Sequence, residues 1–218
     1  MKAADVKTIG ILGAGRVGTA LARRAIAAGY DVKIATSRPP AEIGLLVEIM
    51  VPGARAETAE AVIAGSDVVV LALPLSKYRN LRPALFAGKI VVDAMNYWAP
   101  TDGVMSEFEG DRASSEIIQD YLTDALIVRS FNHMGYHEIE EEARAAGHPD
   151  RRALAVAGDD AQARRVVAAF IDHLGFDPVD AGELAASRSF VTGTPIFGAS
   201  LDQAEMTRVL QGTYERAY

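Results

Sequence analysis

The six residues "GAGRVG", Gly13 to Gly18, constrain this chain more than any other stretch, because three glycines in G-x-G-x-x-G spacing separate an apolar run from a helical pattern. "KTIGIL" (Lys7 to Leu12) reads as a buried strand, and "RVGTALARRAIAAG" as a helix closing on Gly29, a residue suited to a left-handed cap. A strand that turns directly into a helix aims the first helical amides and the helix dipole at one point above the sheet edge. That arrangement receives a pyrophosphate. Gly13 permits the tight turn, Gly15 lets a phosphate approach, and Gly18 lets helix and strand pack closely. The bland alternative is a glycine turn with no ligand, and the strand, helix and second strand in register argue against it.

The rest of the chain alternates in the same way. "DVKIAT" (Asp31 to Thr36), "SDVVVLALP" (Ser66 to Pro74), "KIVVDAMN" (Lys89 to Asn96), "ALIVRSFN" (Ala125 to Asn132) and "ALAVAG" (Ala153 to Gly158) read as strands. "DDAQARRVVAAFIDHLG" reads as a helix with acids at its start and Gly175 at its end, and "DPVDAG" as a last short strand. Continuous apolar runs of this kind suit strands covered on both faces. The expected class is α/β, a Rossmann-like, doubly wound and mostly parallel sheet over residues 1–182, with a helical and loop extension over 183–218. The segment Ala99 to Arg112 reads as one long loop, and the acidic run Glu138 to Glu142 as a solvated helix face.

The end of the second strand narrows the ligand. An acid there would accept hydrogen bonds from a bare ribose, but Thr36, Ser37 and Arg38 stand in its place. Ser37 offers a hydroxyl and Arg38 a planar cationic fork, a pair matched to the 2'-phosphate of NADP(H). Composition removes competing classes. The net charge is -7 with no lysine-arginine block, so nucleic acid is not an expected partner. The absence of cysteine excludes thiolate catalysis and cysteine-held metals, so redox work needs a borrowed cofactor. The apolar run Val68 to Leu75 is too short to span a bilayer, and "MKAADVK" has no export signal, so the expectation is a cytoplasmic protein without a membrane partner. His133 and His137 are four apart, but Gly135 between them and the lack of an H-E-x-x-H pattern leave no metal site expected.

These segments together resemble the NADPH-dependent coenzyme F-420 reductases, a group of Rossmann-fold NADP oxidoreductases. "IGILGAGRVGTALARRAIAAGYDV" resembles the family's opening, "TSR" its phosphate-binding signature and "LALPL" its Pro turn. "IVVDAMNYW", "DG", "SSEIIQDYL", "VRSFN", "VAGDD", "LGFDPVDAGEL" and "GTP" are similar to its bacterial branch. The resemblance implies that NADP(H) lies across Gly13, Ala14, Gly15, Arg16, Val17, Gly18, Ser37 and Arg38, with Leu73, Pro74 and Asn96 nearby. It implies direct hydride transfer between the nicotinamide and coenzyme F-420, a deazaflavin, as co-substrate.

On that reading Asn132 and His133 are the candidate catalytic residues, because His133 can exchange a proton near neutral pH. Lys77, Arg79 and Arg188 are candidates for guiding the anionic acceptor, and Thr194 and Pro195 for its pocket. The extension would cap the acceptor site or form the contact of a homodimer. Two other readings stay open: a Rossmann reductase serving a flavin, quinone or ferric chelate, and a non-catalytic NADP sensor.

Overall fold

The computed structural model describes residues 5–212. Eight strands form one sheet: β1 (Thr8–Leu12), β2 (Asp31–Ala35), β3 (Arg55–Ala56), β4 (Val68–Leu71), β5 (Ile90–Asp93), β6 (Leu126–Arg129), β7 (Ala153–Ala157) and β8 (Asp177–Gly182). Their spatial order is β3-β2-β1-β4-β5-β6-β7-β8, and every neighbouring pair is parallel except β6 with β7. The strand order reverses beside β1, the switch point of a doubly wound sheet. The sequence-based fold class is correct.

The apolar runs are unbroken because both faces of the sheet are covered. Val68 and Val70 of β4 point into one apolar cluster, and Val69 and Leu71 into the other. The first cluster is filled by α1 (Arg16–Ala27), α2 (Pro40–Met50), α6 (Tyr136–Glu141) and α7 (Ala161–Leu174). On the opposite face lie α3 (Ala59–Ala64) and α5 (Ser114–Tyr121), together with a 3-10 segment, Leu75–Asn80. Val166, Val167, Phe170, Ile171 and Leu174 give α7 its buried stripe, each worth about 1.5–3 kcal/mol on burial. Gly175 closes that helix in the left-handed region at φ 100°, as its sequence predicts.

The region expected as one long loop contains α4 (Ala99–Asp102) and a 3-10 turn, Ser106–Phe108. After β8, a 3-10 segment (Leu184–Phe190) and α8 (Gln203–Leu210) lay Phe190, Ile196, Leu201 and Met206 on Ala153, Ala155 and Ala157 of β7. Small alanine side chains let this layer approach the strand closely. α2 has no amphipathic pattern to read: only Ile43 and Val47 are buried, while Leu45 is 70% and Ile49 66% exposed.

The acidic run on α6 is not simply a solvated face. Glu138 and Glu142 both bind the buried guanidinium of Arg152, at 2.6 and 2.8 Å, and Arg152 also donates to the carbonyl of Ala199 at 2.9 Å. One arginine thus joins α6, β7 and the segment leading to α8. Arg152→Met should lower stability by about 2–4 kcal/mol in urea unfolding, because it strips the partner from two half-buried carboxylates. Breaking the more exposed Arg23–Glu140 pair with Glu140→Gln should cost no more than about 1 kcal/mol.

Candidate functional site

Three chain crossings meet at the switch point. Gly13 donates its N–H to the carbonyl of Ala35 at 2.8 Å, and Ala72 donates to Leu12 at 2.9 Å, so the segments leaving β1, β2 and β4 are bonded together. Gly13 sits at φ 122°, where a side chain would be strained and would collide with the Ala72 carbonyl. A side chain at Gly18 would collide with the Gly13 carbonyl, which is the close helix-to-strand contact expected there. Gly15 differs: a Cβ added to it meets nothing within 4 Å.

Helix α1 begins immediately after Gly15 with no side-chain cap and no acid in its first turn. The starts of α7 and α8 are closed by Asp160 and Asp202, which accept the amides of Ala163 and Glu205 at 2.6 and 2.7 Å. The first amides of α1 therefore keep their donors and the positive end of the dipole for an outside anion.

Beside them opens a cavity of about 650 Å³. Its walls are the glycine turn from Gly13 to Gly15, Thr36, Ser37 and Arg38 beyond β2, and Ala72, Leu73 and Pro74 beyond β4. Leu46, Ala59 and Leu81 add apolar surface. Among the described residues, no aspartate or glutamate lines the cavity, although the chain carries a net charge of -7. The Thr36 hydroxyl accepts the N–H of Arg38 at 3.1 Å and fixes the turn that presents Ser37 and Arg38.

Residues 8–97, from β1 past the end of β5, match the family described as NADP oxidoreductase, coenzyme F420-dependent. The chain resembles this family over the first five strands of its sheet. It is also similar to the hypothetical protein SMa0349 of Sinorhizobium meliloti, at 31% identity and a TM-score of 0.79, with 91% of this chain and 96% of that one covered. A candidate F420-dependent NADP-reductase from Arthrobacter sp. FB24 is 26% identical with a TM-score of 0.70, over 83% of this chain and 87% of that one. Among curated proteins, metalloreductase STEAP3 of Rattus norvegicus is 27% identical over 84% of this chain and 36% of its own length. The chain thus spans about a third of the curated relatives it matches. The proteins this chain is similar to are NADP-dependent oxidoreductases and metalloreductases by their descriptions. Among the described residues, no helix is long and apolar enough to cross a membrane.

The structure brings most of the predicted nucleotide residues of this oxidoreductase together and separates the others from them. Gly13, Ala14, Gly15, Ser37, Arg38, Leu73 and Pro74 share the cavity. Arg16 leans over the ring of Tyr136, 5.3 Å from its centre, and Val17 packs on the core beneath. Lys77, expected on the acceptor side, lines this same cavity beside the glycine turn. Arg79 is paired with Glu107 at 3.3 Å and lies over the ring of Tyr78. Arg188 is exposed with Asp111 at 3.9 Å, the Thr194 hydroxyl is spent on the Val191 carbonyl, and Pro195 is exposed; none of the three lines the cavity.

Asn132 and His133, the candidate catalytic residues, are buried in the structure. Neither is open to a reacting group. Phe131, held at φ 62°, breaks the strand alternation after β6, so that Phe131, Asn132 and His133 are all buried. Asn132 donates to the Phe190 carbonyl at 2.9 Å, and its own carbonyl accepts from Asn96 at 2.7 Å. The Ala155 amide donates to Nε2 of His133 at 3.1 Å, leaving Nδ1 to donate to Asn132 at 3.3 Å, and Phe190 packs edge-on against the ring. Burial, reinforced by Arg152 and Arg129, pushes this imidazole down to about 3, so it does not exchange protons near neutrality.

Asn96 is likewise committed. Its Oδ1 accepts from Arg129 at 3.1 Å, and Arg129 forms a fully buried pair with Asp93 at 2.9 Å. Ser115 and the Met95 amide complete the Asp93 carboxylate at 2.6 and 3.0 Å. Polar residues read as a reaction surface are thus the internal ties of β5 and β6. The sequence reading missed Leu46, Ala59, Asn80 and Leu81 as cavity residues; Trp98, outside the cavity, is 57% exposed beyond β5. Only Trp98 had a signal, as the one tryptophan following a strand end.

The buried imidazole yields a pH prediction. In an unfolded chain His133 titrates near about 6.5, whereas the folded protein holds it neutral down to about 3. Below pH 6.5 the unfolded chain takes a proton that the fold refuses, so stability falls as pH drops through this window, by up to about 1.4 kcal/mol per pH unit. Urea unfolding at pH 7 and pH 5 should show about 2 kcal/mol more acid loss in the wild type than in His133→Asn. Equal losses would mean an imidazole already open to protons.

Proposed function

We propose that this protein transfers hydride between NADP(H) and coenzyme F-420. The observation that carries the nucleotide half is a cavity that, among the described residues, no acid lines and whose walls include both Arg38 and the glycine turn before the uncapped start of α1. The amides of Arg16, Val17 and Gly18 would take the pyrophosphate, while Ser37 and Arg38 would take the 2'-phosphate. Leu73 and Pro74 supply the wall that leads from this cavity toward β5. When bound, the nicotinamide supplies the hydride, and the deazaflavin ring receives it.

The chain's own contribution is orientation and exclusion of water rather than acid-base chemistry. Trp98 offers an exposed indole for stacking a planar acceptor. Its position is tied to the nucleotide wall by Asp102, which accepts the amide of Trp98 at 2.9 Å and that of Ser76 at 3.1 Å. The matched family's description and the Arthrobacter relative favour F-420 as acceptor. The similarity to metalloreductases over most of this chain favours a second reading, in which the same NADPH half serves another acceptor such as a flavin or ferric chelate.

NADPH oxidation measured against F-420, free flavin and a ferric chelate separates the two. Turnover with F-420 is expected, and oxidation with flavin or ferric chelate but none with F-420 would move the assignment to the second reading. Arg38→Ala should weaken NADPH by about 1.5–3 kcal/mol, or roughly ten- to 150-fold, with little change for NADH. Equal loss of both nucleotides in a binding titration would remove Arg38 from the 2'-phosphate. Trp98→Ala should raise the Michaelis constant for the acceptor while leaving that for NADPH near wild type; the reverse pattern would take Trp98 out of the acceptor site.

A further inference from the structure

We infer that Lys77 is the second cation of the 2'-phosphate site, acting with Arg38 across the cavity. This rests on the NADP(H) reading and adds to it a residue from a different strand exit.

Local geometry directs this side chain. Leu75–Asn80 is a 3-10 helix, in which residues three apart share a face. Leu75 and Tyr78 form one face and are buried in the core. Ser76 and Arg79 form the second, where the Ser76 amide is held by Asp102 and the Arg79 guanidinium by Glu107. Lys77 and Asn80 form the third, and both line the cavity.

Charge follows the same division. Arg79 is neutralised by Glu107, whereas among the described residues no carboxylate pairs with Lys77 or Arg38 and no acid lines the wall they share. Two unpaired cations on one cavity, in a chain of net charge -7, call for an anion. The anion is a phosphate monoester on the adenosine side. The pyrophosphate has the amides of α1, while the part of the cavity bounded by Leu46, Ala59 and Leu81 gives an adenosine its apolar walls. A monoester carries about -1.5 to -2 near neutrality, and Arg38 supplies only one positive charge. Lys77 balances the remainder. Asn80, one turn further on the same face, adds an amide that can donate to the same nucleotide.

The test is calorimetric titration of the wild type, Lys77→Gln and Lys77→Arg with NADP+ and NAD+, and with 2',5'-ADP and 5'-ADP as fragments. Lys77→Gln should weaken NADP+ and 2',5'-ADP by about tenfold, leave NAD+ and 5'-ADP unchanged, and reduce the salt dependence of NADP+ binding. Lys77→Arg should retain most of the affinity. Unchanged NADP+ binding in Lys77→Gln would make Lys77 an ordinary surface charge, and equal losses for all four ligands would assign it to the pyrophosphate or to the cavity wall; either overturns the inference. The wild type keeps the two levels apart: without a preference for NADP+ over NAD+ the NADP(H) reading itself fails, and with that preference only the role of Lys77 is at stake.

Discussion

The Gly13 amide donates to the Ala35 carbonyl at 2.8 Å, and the cavity at the switch point depends on that bond. It holds the turn after β1 against the end of β2, while the bond from Ala72 to Leu12 holds the exit of β4 on the other side. With those three exits fixed, the start of α1, the Ser37–Arg38 turn and the Pro74 turn must face one space. Both bonds require Gly13 at a positive φ and without a side chain, because a Cβ there would strike the Ala72 carbonyl. A single residue type therefore links the strand order to the ligand that the sheet edge can receive.

Much of this half is legible in the sequence because it is local. Gly13, Gly15 and Gly18 are read from their spacing, and Arg38 from its position after "DVKIAT", within one strand-helix-strand unit. The strands are legible because burial on both faces removes the alternation that a half-exposed sheet would keep. By contrast, α2 has apolar residues all round, and no periodicity marks which side is covered. The role of Lys77 needed the three-residue period of a 3-10 turn, which neighbours in sequence alone do not disclose.

The burial of Asn132 and His133 and the engagement of Asn96 were not legible, for a different reason. Asn96, Asn132 and His133 are polar residues after strand ends, the usual address of a reacting group, yet each is consumed by a partner distant in sequence. The left-handed turn at Phe131 folds the segment inward, and the layer carrying Phe190 closes over it. The polar tie between Asp93, Arg129, Asn96 and Asn132 then fixes β5 and β6 beneath the place where Trp98 emerges. These polar groups bond to one another and to the backbone beneath Trp98.

Gly15→Val tests the central claim most directly. A Cβ at Gly15 meets nothing within 4 Å beyond its immediate chain surroundings, so a side chain there points into open space where an incoming ligand would be obstructed. The account predicts wild-type circular dichroism and urea stability, with NADPH binding weakened by at least about a hundredfold in a direct titration, or about 2.7 kcal/mol. A folded variant that binds NADPH with wild-type affinity would contradict it, since the glycine turn would then be a structural corner and not the seat of the pyrophosphate.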